Sequence, residues 1–301
     1  MASGASPPSS EGGGQPPPEV ADLQSHDLPL DSHLHTDQSP DSLVPIDVYA
    51  AQALERGIAE LAITDHVDFD ARDPAFEFTT FEERERVVRD AAERWGPLGV
   101  AIRFGAELTW NTAWEGDVRR HLADHRYDFV IGSVHDWPGS PYRRSGLKSW
   151  LAGRSLDEVV APYYAEVIAA VRSGLFDTIG HLDVVKRYVD PYVTAADLAT
   201  RPDVLEPVLE ALVDSGVALE VNSSGLRHPS RETYPAAATV QRFHELGGRR
   251  VTAGSDAHRP EWFAYRLGDA YEIIEAAGFA ELAFRRGGTG LEIPLPNRAP
   301  T

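Results

Sequence analysis

The chain has 301 residues, 42% hydrophobic and 25% charged, enough apolar surface for one large core or two small ones. Its 28 basic and 47 acidic residues leave a formal net charge of −19, a field that repels nucleic-acid phosphates and speaks against extended DNA or RNA as a partner. Cysteine is absent, which removes disulfides, thiolate ligands and a cysteine nucleophile together; no run reaches the ~20 apolar residues that cross a bilayer, so a cytoplasmic protein without membrane contact is expected.

Residues 1–27 are mostly Gly, Ser, Pro and Ala and lack both a positive start and an apolar stretch. They are expected to form a disordered tail, not a signal peptide, ahead of a single domain over 28–301. From there apolar, β-rich runs alternate with amphipathic ones. Strands are predicted at 28–33, 59–64, 101–106, 127–133, 177–180, 217–222 and 250–254, and helices at 46–56, 80–95, 116–125, 155–173, 202–215, 235–246 and 261–277. Ser155 with Glu158 forms a capping-box signature, and Gly57, Gly174, Gly216 and Gly247 mark helix ends. Seven strand–helix repeats argue for a parallel α/β architecture, either a closed barrel or a doubly wound sheet. In a barrel, functional side chains come from the C-terminal ends of many strands.

The first strand runs into "SHLHTD", which places His33 and His35 two apart, on one face of an extended chain. The second runs into His66, the third into Glu107, the fourth into His135, the fifth into His181, and the seventh into Asp256 and His258. Six of the 11 histidines therefore fall at strand ends, a distribution that independent hydrogen-bonding roles would not produce. The others, His26, His121, His125, His228 and His244, are read as ordinary polar positions, with His228 beside a probable substrate loop. Imidazole and carboxylate without thiolate is a ligand set for Zn²⁺, Mn²⁺ or Fe. Six imidazoles and two carboxylates exceed the capacity of one ion, so two or three divalent ions are expected.

In this order and placement, "HLHTDQSPDS", "ITDHVDF", "GAEL", "GSVHDW", "GHLDVVKRY", "NSSGLR" and "GSDAH" resemble the polymerase and histidinol phosphatase (PHP) family, in particular its histidinol-phosphatase branch. The resemblance implies a distorted (β/α)7 TIM-like barrel with a trinuclear metal centre at the C-terminal ends of its strands. It implies one ion on His33, His35, Glu107 and Asp256, and a second on Glu107, His135 and His181. The third would lie on His66, His258 and Asp41, the last at a position where many relatives carry histidine.

Clustered divalent ions can bring the pKa of water towards neutrality and clamp a phosphate monoester for in-line attack. No protein nucleophile is then required. Arg187, after the fifth strand, and Arg227, after the sixth, are candidates to grip phosphate oxygens, with Lys186 a weaker rival. Asp183, Asp65 and Asp136 lie beside ligands and could orient them or serve as the acid for the leaving alcohol, Asp183 foremost. The stretch 137–155 could form part of a lid.

The expected function is metal-dependent hydrolysis of L-histidinol phosphate to L-histidinol and phosphate, a step of histidine biosynthesis. Two alternatives stand: a phosphoesterase acting on nucleotides or short oligonucleotides, and a non-catalytic metal-binding module. The sequence sets no oligomeric state.

Overall fold

The computed structural model describes residues 25–137, 139–140, 147–190, 192–286 and 289–296. Most of the expected tail, and residues 138 and 141–146 of the expected lid stretch, lie outside the described residues. Ser25 and Asp27, at the end of the expected tail, are hydrogen-bonded to the body: Gly268 N–H donates to Ser25 Oγ at 2.5 Å and Asp27 N–H to Arg56 O at 2.7 Å.

Seven parallel strands follow one another around the sheet, β1 (Leu30–Leu34), β2 (Glu60–Ile63), β4 (Ala101–Thr109), β5 (Phe129–Ser133), β6 (Thr178–Ile179), β7 (Ala218–Asn222) and β8 (Val251–Gly254). A two-residue strand, β3 (His66–Val67), pairs with the far half of β4. The two edges meet: Asp256 N–H donates to His33 O at 2.9 Å, His35 N–H to Ala257 O at 3.0 Å, and Ser32 Oγ to Ala253 O at 2.9 Å. The sheet is thus nearly closed into a barrel. Its strands are buried on both faces, as a helix-covered parallel sheet requires, which explains their almost unbroken apolar sequences.

Helices α1 (Ile46–Arg56), α2 (Phe81–Trp95), α3 (Glu115–Asp124), α5 (Leu156–Ser173), α8 (Pro202–Ser215) and α9 (Ala237–Glu245) form the crossovers. Local chemistry sets their ends. Thr80 accepts from Glu83 N–H, Ser155 and Glu158 make the expected capping box, and α5 and α8 close on left-handed Gly174 and Gly216. The short helices α4 (Leu147–Leu151), α6 (Val185–Val189) and α7 (Ala195–Ala199) add to the expected set.

The helix predicted over 261–277 begins later, as α10 (Leu267–Ala276), because Ala264 and Arg266 take left-handed conformations with φ of 52° and 50°. Beyond the last predicted element, β9 (Glu281–Arg286) and β10 (Thr289–Pro294) form an antiparallel hairpin. Phe284 of the hairpin packs on Phe129 with ring centroids 4.7 Å apart, and Arg285 pairs with Asp177 at 2.8 Å. Both contacts lie at strand beginnings, so the hairpin covers the N-terminal end of the barrel and leaves the opposite end for chemistry.

Candidate metal centre

Every expected metal ligand lies at the C-terminal end of the barrel. β1 turns His33 and His35 to the same side, with ring centroids 5.0 Å apart and Nε2 atoms 3.0 Å apart. Glu107 Oε2, from β4, lies 3.5 Å from His33 Nε2 and 3.4 Å from His35 Nε2. Asp256 Oδ1, after β8, lies 3.8 and 3.5 Å from the same two nitrogens. The other oxygen of Glu107 faces a second group, with Oε1 2.8 Å from His181 Nε2 and 3.2 Å from His135 Nε2. The third group stands at the rim, where Asp41 Oδ2 lies 3.3 Å from His66 Nε2 and 3.2 Å from His258 Nε2.

These separations are compatible with a metal site, although several also lie within hydrogen-bonding range. Ligand atoms about 2.1 Å from a tetrahedral ion sit about 3.4 Å from one another, and the distances above scatter around that value. Glu107 Oε2 is buried and makes no well-aligned hydrogen bond among the described residues, although ring nitrogens of His66, His35 and His33 lie 2.9, 3.4 and 3.5 Å away. Donor chemistry, spacing and this poorly satisfied oxygen all fit divalent ions, with Glu107 shared between two of them. His66, whose Nδ1 lies 2.9 Å from Glu107 Oε2, spans from the shared carboxylate to the rim group.

In four of the six rings the second nitrogen is committed elsewhere, which fixes how those rings face, whereas His181 Nδ1 is buried without a hydrogen-bond partner among the described residues. His33 Nδ1 lies 2.7 Å from Glu220 Oε1, His135 Nδ1 3.2 Å from Thr109 Oγ1, His258 Nδ1 3.1 Å from Asp256 O, and His35 Nδ1 3.5 Å from Ser39 Oγ. Ser39 Oγ also accepts from His66 N–H at 2.9 Å, while buried Arg84 donates to His66 O at the same distance. Glu220, Ser39, Thr109 and Arg84 are thus supporting residues that sequence reasoning missed. For Glu220 a signal existed, a lone acid inside the apolar run "VALEVN".

Burial alone would push the Glu107 carboxyl up, but the imidazoles of His66, His135 and His33 around it hold it well below the usual carboxylate range. Asp41 and Asp256 are held low in the same way, by His66 and His258 and by His33 and His35. Burial and the neighbouring His258 and His66 depress His35 to about 3. Burial works against protonation of His33 too, yet the carboxylates of Glu220, Glu107 and Asp256 win and raise it. The centre therefore keeps its carboxylates ionised.

Backbone strain collects here as well. His181 and Asp256 have φ of 25° and 52°, a region that costs a non-glycine residue on the order of 1–3 kcal/mol. Both are held in place: His181 N–H donates to Glu220 Oε2 at 2.7 Å, and Asp256 O accepts from Arg227 at 2.9 Å. Room for this comes from Gly254, where a Cβ would collide with His33 Cβ and stand 2.7 Å from Glu220 Oε1. Gly254→Ala is expected to destabilise the protein by about 1–3 kcal/mol through overpacking, and by more if His33 is displaced. A thermal melt with the same midpoint as the parent would refute this.

Other candidates fall differently. Arg227 donates to Ser255 O and Asp256 O and stacks on Trp262 at 4.8 Å, so it braces the strand end that carries Asp256. Arg187 is exposed on α6. Asp183 belongs to none of the donor groups and instead pairs with buried Lys186 at 2.8 Å. Lys186 also reaches Glu232 at 3.4 Å, which leaves it poorly placed for phosphate. Asp65 accepts from Thr36 N–H and Oγ at 2.6 and 2.8 Å, buttressing the segment after His35. Asp136 is half-buried beside His135.

Known proteins resemble this chain in sequence and in fold. The PHP domain profile matches residues 31–224. A protein of Deinococcus radiodurans named as a probable histidinol-phosphatase is 32% identical over 257 residues, spanning 85% of this chain and 96% of its own length. The histidinol-phosphatase of Lactococcus lactis is 27% identical over 263 residues, with 84% and 93% covered. The crystal structure of a histidinol phosphate phosphatase from Lactococcus lactis, solved with zinc, L-histidinol and phosphate, superposes with a TM-score of 0.73 at 25% identity, covering 89% of this chain and all of that one.

Proposed function

This chain belongs to the PHP domain family, and we propose that it hydrolyses L-histidinol phosphate to L-histidinol and inorganic phosphate in a metal-dependent reaction. The observation that carries the reading is the pair of donor groups joined through the two oxygens of Glu107, with a third group at the rim. The superposition on a phosphatase solved with zinc, L-histidinol and phosphate supports it. Among the described residues no helix is long and apolar enough to cross a membrane.

Divalent ions bound there, zinc, manganese or iron, supply Lewis-acid charge for the phosphoryl oxygens and make water acidic enough to attack phosphorus near neutral pH. His33, His35, Glu107 and Asp256 would hold one ion, Glu107, His135 and His181 a second, and His66, His258 and Asp41 a third. The protein's other residues position and screen. Arg187, exposed on α6 near the site, offers a guanidinium to the phosphate. Arg227 shapes the strand end beneath it. Asp183, tied to Lys186, anchors α6 and so sets where Arg187 stands; this assignment replaces a role in proton transfer.

Phosphate release measured over a panel of histidinol phosphate, 3′- and 5′-nucleotides and phosphotyrosine tests the reading. Histidinol phosphate is expected to give the highest kcat/KM, by at least about tenfold over the others, a margin of about 1.4 kcal/mol in the transition state. Protein with bound zinc or manganese that releases phosphate from none of them would overturn it. A preference for nucleotides would move the assignment to another phosphoesterase of the family.

A further inference from the structure

The strand that offers the centre no ligand carries a buried carboxylate. Glu220, midway along β7, is fully buried between Leu219 and Val221 and belongs to none of the donor groups. A carboxylate in such surroundings costs several kcal/mol unless its oxygens meet donors. Three donors converge on it. Oε1 lies 2.7 Å from His33 Nδ1, and Oε2 accepts from the backbone N–H of His181 at 2.7 Å and from Asn222 Nδ2 at 3.1 Å. The barrel is cut away at Gly254 to admit it, since a Cβ there would stand 2.7 Å from Oε1.

We propose that Glu220 is a positioning residue that holds His33 as its Nδ1–H tautomer, with Nε2 facing the ligand groups, while pinning the backbone of His181; the proposal rests on the metal-dependent reading above. The geometry allows no equivalent alternative for the ring. His33 Nε2 lies 3.0 Å from His35 Nε2 and 3.5 Å from Glu107 Oε2. A proton on Nε2 would point into the ligand groups and leave a lone pair facing the Glu220 carboxylate. One side chain thus couples a ligand from β1 to a ligand beyond β6, across the barrel interior. The acceptor pattern needs both oxygens. Glutamine, of nearly the same shape, has one acceptor and one NH₂ group, so it must oppose a donor to His33 Nδ1–H or to both His181 N–H and Asn222 Nδ2.

Two measurements decide the matter. In zinc-loaded wild-type protein carrying ¹⁵N-labelled histidine, long-range ¹H–¹⁵N spectra are expected to place the His33 proton on Nδ1; a proton on Nε2 overturns the proposal without any variant. In competition with a zinc chelator, Glu220→Gln, checked for a native circular dichroism spectrum, is expected to hold zinc on the order of 10–100-fold more weakly than wild type. A folded Glu220→Gln protein with wild-type zinc affinity also overturns it. Wild-type protein that takes up no zinc fails the metal reading itself, a result separate from either of these.

Discussion

Glu107→Gln is expected to lower kcat/KM for phosphate release by at least about 10³-fold, equivalent to about 4 kcal/mol of lost transition-state stabilisation. The size of the effect follows from how many partners the carboxylate serves. Oε2 lies within 3.5 Å of ring nitrogens from His33, His35 and His66, and Oε1 lies 2.8 and 3.2 Å from those of His181 and His135. Glutamine keeps one oxygen and turns an NH₂ group towards the other set, where it neither ligates a cation nor balances its charge. Two ion positions are therefore damaged by one substitution, and the loss of at least one ion per chain is expected in elemental analysis. The fold should survive, because Leu108 and Ala106, beside it in β4, keep their packing in the barrel wall. A variant with parental activity and metal content would remove Glu107 from the centre.

The convergence of histidines and carboxylates at the strand ends was legible because strand geometry and donor chemistry both leave marks in sequence. An apolar run that stops at histidine or carboxylate is unusual, and six repetitions are more so. What supports those residues left little mark in the sequence beyond the lone acid in "VALEVN". Glu220 reads as the outward position of an alternating strand, and only a sheet buried on both faces makes it an anomaly. Ser39 and Thr109 depend on ring orientation, which spacing does not determine. The late start of α10 rests on left-handed Ala264 and Arg266, conformations that no residue preference foretells for alanine or arginine. The β9–β10 hairpin, by contrast, carried a signal in the alternation of "ELAF" and in the Gly-Gly before "TGLEIP".

The closure of the barrel and the assembly of the centre are one structural event. Asp256 reaches His33 and His35 because its own N–H bonds to His33 O across the β1–β8 seam. The same seam is held by Asp31, which accepts from Ser255 N–H at 2.9 Å and Ser255 Oγ at 2.6 Å. Candidate ligands therefore come from both edges of the sheet, and an ion bound between them would tie the edges together.

Removal of the ions is accordingly expected to cost stability as well as activity. An ion present at 100 times its dissociation constant stabilises the folded state by about 2.7 kcal/mol, which in a chain of this size corresponds to a fall of about 4–5 °C in melting midpoint on chelation. The gap should widen as pH rises above about 6.5, the ordinary histidine value. In the metal-free protein His33, His66 and His258 are raised by the surrounding carboxylates, against the opposing effect of burial. A raised imidazole contributes stability that is fully present below its unfolded value and is lost as pH climbs through the folded one. His35 and His135, which are lowered, act the other way and gain stability as pH rises through the unfolded value near 6.5, so they offset part of the loss there and none of it above about pH 7.5, where they are neutral in both states. Metal binding moves the other way, because rising pH frees the ring nitrogens from protons that compete with the ion. Melting midpoints of chelated and zinc-loaded protein between pH 6 and 8.5 check both statements. Midpoints that coincide, or a gap that narrows as pH rises, would show that the ring nitrogens and carboxylates at the C-terminal end of the barrel are held together by their own ion pairs alone.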